Sequence, residues 1–403
     1  MSESPFKILY STSAAKCADD CRRKRYWQYE HSTGSGVRGI ERVAMALPLA
    51  TGIYVHQGLA VMLATGDVDQ GVKEAVGEYR AECATRGLNA EVAADVAFTV
   101  EEQAALIEGL IRAWARARRE PFLAEYEVLD IEREELCEVR REVGLMSRSD
   151  VVLRRKSDRR VFIVNFKSVG DAGERWRRSF EFDVQTMSET VPVERRLGEQ
   201  VAGVLIEGLV KGRREGVNAE GKVAKQAKNK EVVRYLQWSP LLQGYKLAAN
   251  PPLDDGAYSH EYTSAKGWSR FLVREEQAFG SQPTRHWVEE VLPIEVVEAV
   301  CVSLPPILRL ERLVEDWLEQ SSYREVEFRA ARDYLDQQVD SSDEQVVRSF
   351  LNREWPQTFA ACDRFGPCAM TDVCFNEGVA ADPIGSGLYR PRKSHHPIEE
   401  ENA

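Results

Sequence analysis

The sequence predicts a mixed α/β fold, a central sheet flanked by helices. Apolar residues recur at helical spacing before residue 119, as at Leu106, Leu110, Ile111 and Trp114. Between residues 124 and 167 the texture changes to alternating or wholly apolar stretches separated by polar turns, the pattern of consecutive strands. The chain has 403 residues, 43% hydrophobic and 30% charged, so it can bury a substantial core. At about 150 residues per domain it is too long for one ordinary unit.

The first thirty residues read as a short apolar start (Phe6-Lys-Ile-Leu-Tyr10), a Ser11-Thr12-Ser13 helix cap, and a helix ending near Tyr29. Three glycines make 31–39 a loop. A glycine-opened helix follows from Ala50, carrying one histidine in Gly52-Ile-Tyr-Val-His56, and helical patterns run on to about Arg119. Three strands are expected at 124–136, 145–153 and 161–167, the last two joined by a polar turn at 156–159. Helix and strand resume over 180–198 and 201–210, and the lysine-rich stretch 211–230 reads as an exposed loop. A further strand at 232–236 precedes loops and then helices over roughly 293–353. No clear internal repeat is present.

Several function classes are excluded early. No stretch approaches the roughly 20 apolar residues of a membrane span. The opening MSESPFKILY lacks a basic start followed by an apolar block, so a soluble cytoplasmic protein is expected. Net charge is −11, which argues against a uniformly basic nucleic-acid coat. Cations nevertheless cluster at Arg22-Arg23-Lys24-Arg25, at Arg154-Arg155-Lys156, and at Arg175-Trp176-Arg177-Arg178. Local rather than net charge binds phosphates, so these are candidate DNA contacts; solvated helix faces are the alternative. Trp176 and Tyr26-Trp27 are candidate base-stacking groups, with ordinary packing as the alternative.

Of eight cysteines, Cys83, Cys137 and Cys301 are isolated and read as small buried hydrophobes. Cys362, Cys368 and Cys374 follow one another with five residues between each pair, and Gly366-Pro367 favours a loop around a ligand. Three thiols leave a four-thiolate site one short, and the pair Cys17 and Cys21 is the other grouping able to supply it. Zinc and iron–sulfur both suit such a donor set.

The chemistry centres on Asp150 and, on the next strand, Asn165-Phe166-Lys167. Residues two apart share a strand face, so Asn165 and Lys167 project together and a paired hairpin brings Asp150 to the same place. Oxygen ligands and one lysine are what a Mg²⁺-dependent phosphodiesterase needs.

These residues resemble the PD-(D/E)XK nuclease superfamily, in particular its RecB-like exonuclease branch. Asp150 matches its first acid, Lys167-Ser168 its lysine ending, Gly52-Ile-Tyr-Val-His56 its Gly-x-x-x-His element, and Phe182-Asp183-Val184-Gln185 its glutamine helix. Cys21-Arg-Arg-Lys-Arg-Tyr-Trp-Gln-Tyr resembles the start of the iron–sulfur members, which include AddB-type helicase–nucleases and CRISPR-adaptation nucleases. The resemblance implies the following. His56, Asp150, residue 165 and the Phe166 carbonyl hold Mg²⁺ or Mn²⁺, with Lys167 and Gln185 assisting. Cys21, Cys362, Cys368 and Cys374 hold a structural 4Fe-4S cluster, and their wide spacing keeps zinc open. The substrate is DNA, as single strands or duplex ends. A recombination or replication protein is a possible partner, and a phage or mobile element a possible origin.

The implied organisation is an N-terminal segment (1–48), a helical region (49–122), the nuclease core (123–250), a mostly helical region (251–360), the cysteine loop (361–378) and a polar tail (379–403). Two positions depart from the pattern. Asn165 stands where an acid is expected, and Glu189 where the glutamine helix normally carries tyrosine. An introduced knock-out, a subgroup that tolerates asparagine with help from a carboxylate such as Glu132, and a silent DNA-binding or recombination-accessory protein all fit Asn165.

Overall fold

Alternating apolar and polar residues, and an apolar run at Val161–Val164, build three long antiparallel strands, β3 (Tyr126–Arg140), β4 (Val143–Arg155) and β5 (Val161–Val169). The computed structural model describes residues 6–33, 38–44, 47–86, 94–170, 172–210, 233–239, 244–250, 258–264, 269–276, 284–291, 301–338, 344–362 and 368–393. The turn between β4 and β5 is fixed by Asp158, whose carboxylate accepts from Arg155 Nε at 3.0 Å and Arg160 Nε at 2.6 Å. Short helices α7 (Glu174–Arg178), α8 (Val184–Ser188) and α9 (Thr190–Leu197) then return the chain to β6 (Val201–Val210), which lies parallel to β5.

Two outer strands complete the sheet. The N-terminal strand β1 (Ile8–Ser11) pairs in parallel with Val143 to Met146 of β4, and Cys301–Ser303 pairs antiparallel with β6. Because β5 takes only Val151 to Arg154 of β4, the sheet forks at residues 147–150. Ser11 ends β1 and caps α1 (Thr12–Asp20), its hydroxyl accepting from the Ala14 N–H at 3.2 Å, as the cap signal predicts.

Both faces of this sheet are covered, which explains the unbroken apolar run at 161–164. On one face α3 (Leu47–Thr65), α4 (Val68–Thr85) and α5 (Ala94–Ala117) bring Val55, Leu59 and Trp114 against Val151, Phe162 and Phe166. On the other, Ile163, Val193 and Ile206 form one cluster, and Tyr10, Leu145, Met187 and Trp317 another. A separate core joins the chain's two ends: Tyr26, Trp27 and Ile40 pack with Phe328, Trp355, Met370 and Tyr389.

The region after 250 differs from expectation. Strands at Tyr258–Ser264, Ser269–Glu276 and Thr284–Val291 join Val233–Ser239 and Gly244–Asn250 in a five-stranded antiparallel sheet, so the 250 boundary cuts through paired strands. Among the described residues after 250, helix is found from Glu311, in a long element reaching Gln338. Strands such as Tyr-Ser-His-Glu-Tyr-Thr-Ser carry too few aliphatic residues for hydrophobic periodicity to reveal them. The 211–230 stretch lies outside the described residues. No helix among the described residues is long and apolar enough to cross a membrane.

Candidate metal-dependent hydrolase site

The fork in the sheet gathers the predicted residues. Gly52 on α3 sits so close to the end of β5 that a Cβ there would stand 2.7 Å from Ser168 Oγ. This close approach sets His56, one turn further along α3, above the fork. His56 Nδ1 lies 3.3 Å from Asp150 Oδ2, and the same oxygen accepts the Phe166 N–H at 2.6 Å. Asp150 thus replaces the ladder bond that β4 and β5 can no longer make to each other. The Phe166 ring packs edge-on against Trp114 at 5.4 Å, and Trp114 donates to Glu207 at 3.1 Å, which holds this stretch of β5 in place.

Asn165 points to the other face, buried, and its amide donates to Glu189 Oε2 at 2.8 Å. Glu189 occupies the junction of α8 and α9. Glu132 lies across β4 from Asp150, between the register pairs Ile131 with Val151 and Arg133 with Ser149. Its φ of 48° is left-handed, a strained conformation for glutamate, and its carboxylate meets Arg148 Nε at 3.1 Å.

Electrostatics make Asp150 the hub. Burial alone would raise its pKa, but His56, Lys167 and the Phe166 N–H together hold it below the usual carboxylate range. Glu189 is pushed up to about 8 by burial and by Asp150 and Asp183, with Lys167 and Asn165 opposing. Glu132 is pushed up to about 7 by burial and by Asp150, opposed by Arg148 and His56. Burial and the neighbouring Asp150 thus hold Glu132 and Glu189 toward their neutral forms, and carboxyl oxygens are the donor type that a hard divalent cation takes.

Sequence reasoning missed the role of position 189, which had registered only as a departure from tyrosine. Nothing in the local sequence marks it, because the contact spans 24 residues. Gln185, by contrast, turns toward α1, with Nε2 3.4 Å from Ser13 Oγ. A cleft of about 940 Å³ opens from His56, Glu132 and Asp150 and extends past Leu49 and Ile53 to Arg42, Arg390 and Lys393.

The candidate DNA contacts divide. Arg154 is paired with Glu199 at 2.7 Å, and Arg155 with Asp158 at 2.5 Å. The Trp176 ring packs on Phe180 and over Gly208, where a Cβ would meet it at 2.7 Å, so it packs α7 against β6. Tyr26 and Trp27 are buried in the core that joins the chain ends. Arg175, Arg177 and Arg178 are exposed beside the crossover.

The four selected thiols come together from opposite ends of the chain. The Thr358 N–H donates to Cys21 Sγ at 3.4 Å, the Met370 N–H donates to Cys368 Sγ at 3.5 Å, and Cys362 Sγ lies 3.9 Å from the Thr358 carbonyl. Burial pushes the Cys374 thiol up to about 12, Arg23 opposes this, and Cys368, Cys21 and Cys362 all add to it. Cys17 instead donates to Gln28 at 3.3 Å. Backbone N–H groups aimed at sulfur, with buried Arg23 nearby, fit a four-thiolate group. Among the described residues no group of three or more His, Cys, Asp or Glu side chains is placed to hold a metal ion. Compared with known proteins, the chain matches no family model and no curated sequence.

Proposed function

We propose that the chain is a metal-dependent DNA nuclease of the PD-(D/E)XK type, acting as an exonuclease on single strands or duplex ends. One observation carries this reading: Asp150 lies at the fork between β4 and β5 and interacts with His56, Lys167 and the Phe166 backbone at once. The mixed central sheet, in which antiparallel β3, β4 and β5 are followed through helices by parallel β6, supports this reading.

On this reading Asp150 and His56 hold a divalent cation, with the Phe166 carbonyl within the same strand turn. A bound Mg²⁺ or Mn²⁺ supplies Lewis acidity and a more acidic water. Lys167 offsets charge gathering on the scissile phosphate, an interaction strongest in the transition state. The cleft supports a polymeric substrate. Its apolar rungs Leu49 and Ile53, 67% and 48% exposed, offer surface to bases, and Arg390 and Lys393 line it further out. Cys21, Cys362, Cys368 and Cys374 would carry a 4Fe-4S cluster, or zinc, tying the chain ends together, and its ligation energy would be folding energy.

Asn165 favours a second reading, a catalytically silent DNA-binding protein. Incubation of end-labelled DNA with Mg²⁺ or Mn²⁺ separates the two. The nuclease reading expects cleavage by the chain and a loss of at least 100-fold in Lys167→Ala. Retention of DNA in a mobility-shift assay, with no cleavage in either metal, would establish the silent reading instead.

A further inference from the structure

We infer that Glu189 supplies the metal-ligating carboxylate that position 165 lacks, and that Asn165 is the positioning residue that holds it there. This rests on the proposed function, whose metal site it completes.

The first argument is a contrast within the chain. Among the described residues five glutamates are buried: Glu30, Glu135, Glu189, Glu207 and Glu325. Four are neutralised by arginine. Arg25 meets Glu30 at 2.5 Å and Glu325 at 2.8 Å, Arg196 meets Glu135 at 2.5 Å, and Arg118 meets Glu207 at 3.1 Å. Glu189, only 7% exposed, has no cationic side chain within ion-pair distance among the described residues; it takes one bond from a neutral amide. A buried carboxylate without a cation is costly, and such groups are kept where they coordinate metals. The partner of Glu189, Asn165, directly precedes Phe166, whose N–H donates to Asp150, so the Glu189 carboxyl is held beside the strand position that bonds Asp150.

The second argument is complementarity. An aspartate at 165 would place a second carboxyl against Glu189 at hydrogen-bond distance, and the two could not both ionise without repulsion. Asparagine there donates instead. The asparagine and the glutamate therefore read as one exchange, moving a single negative charge from β5 to the α8–α9 junction while keeping it beside Asp150.

The test uses the full chain, with Mn²⁺ binding followed by calorimetry and DNA cleavage measured in parallel. Glu189→Gln keeps an acceptor for Asn165, and its thermal midpoint monitors folding. We expect it to weaken Mn²⁺ binding at least tenfold without lowering the midpoint. Asn165→Asp alone should not tighten binding, because Glu189 remains opposite. The double variant Asn165→Asp/Glu189→Gln should recover Mn²⁺ affinity to within a few-fold of the parent. Unchanged Mn²⁺ affinity in Glu189→Gln, or Asn165→Asp surpassing the double variant, overturns the inference, and so does a parent chain that binds no Mn²⁺. Mn²⁺ binding through Glu189 without DNA cleavage would uphold this inference and overturn the nuclease reading. Cleavage unaffected by Glu189→Gln would do the reverse.

Discussion

Raising the pH from about 5 to about 9 perturbs Glu189 more than any other carboxyl in the site. Its pKa stands at about 8 in the folded chain against an ordinary 4.5, chiefly because burial disfavours the charge. The folded protein therefore holds a proton that the unfolded chain gives up near pH 4.5. The stabilising contribution is complete below that pH and is lost as the pH rises through about 8. At about 1.4 kcal/mol per pH unit, the loss has an upper bound of about 5 kcal/mol. Relaxation and water entry bring the expected figure to about 2–3 kcal/mol. That corresponds to a fall of roughly 5–10 °C in thermal midpoint for a domain of ordinary size. Glu189→Gln cannot titrate, so its midpoint should fall much less over the same range, keeping only the smaller part due to Glu132, which is pushed up to about 7. The assay is thermal denaturation followed by circular dichroism at a series of pH values. Parallel loss of stability in the parent and the variant would refute the assignment of that proton to Glu189.

Three further outcomes follow from the packing. Gly52→Val places side-chain atoms against Ser168 Oγ and lifts α3 from β5; the cleavage rate should fall at least tenfold, and Ser168→Ala should recover part of it. Cys21→Ala should remove any visible thiolate-to-iron absorption and lower the thermal midpoint, because its sulfur lies between α1 and the Thr358 turn; a coloured, equally stable variant would contradict the assignment. Trp355→Ala empties the centre of the core that joins the chain ends, where Trp355 is fully buried; a loss of about 3–5 kcal/mol in denaturant unfolding is expected.

Much of the core was legible before any coordinates. Alternation marked β3 to β5, Ser11 marked the start of α1, and the two-residue period placed Asn165 and Lys167 on one face. His56 and Asp150 were also legible, because each belongs to a short motif whose parts lie close in sequence. What escaped depends on tertiary approach. Glu189 reaches Asn165 only because the crossover helices fold back over β5, and Gln185, four residues earlier, faces Ser13 instead. Trp176 between arginines looked like a base-stacking group, but Gly208 leaves a hollow in β6 that its ring fills. Of the sheet over 233–291, the strand at Val233–Ser239 was legible, whereas strands such as Tyr258–Ser264 lack the aliphatic alternation that identifies half-buried strands.

The most direct test is diffraction from crystals of the chain soaked with Mn²⁺ and a phosphorothioate oligonucleotide that resists cleavage, with the metal located by its anomalous signal. The account predicts a Mn²⁺ peak at the sheet fork, within about 2.0–2.6 Å of Asp150 and Glu189 oxygens, with a backbone phosphate beside Lys167. Mn²⁺ bound elsewhere while the fork stays empty, or DNA bound away from the cleft, would contradict it.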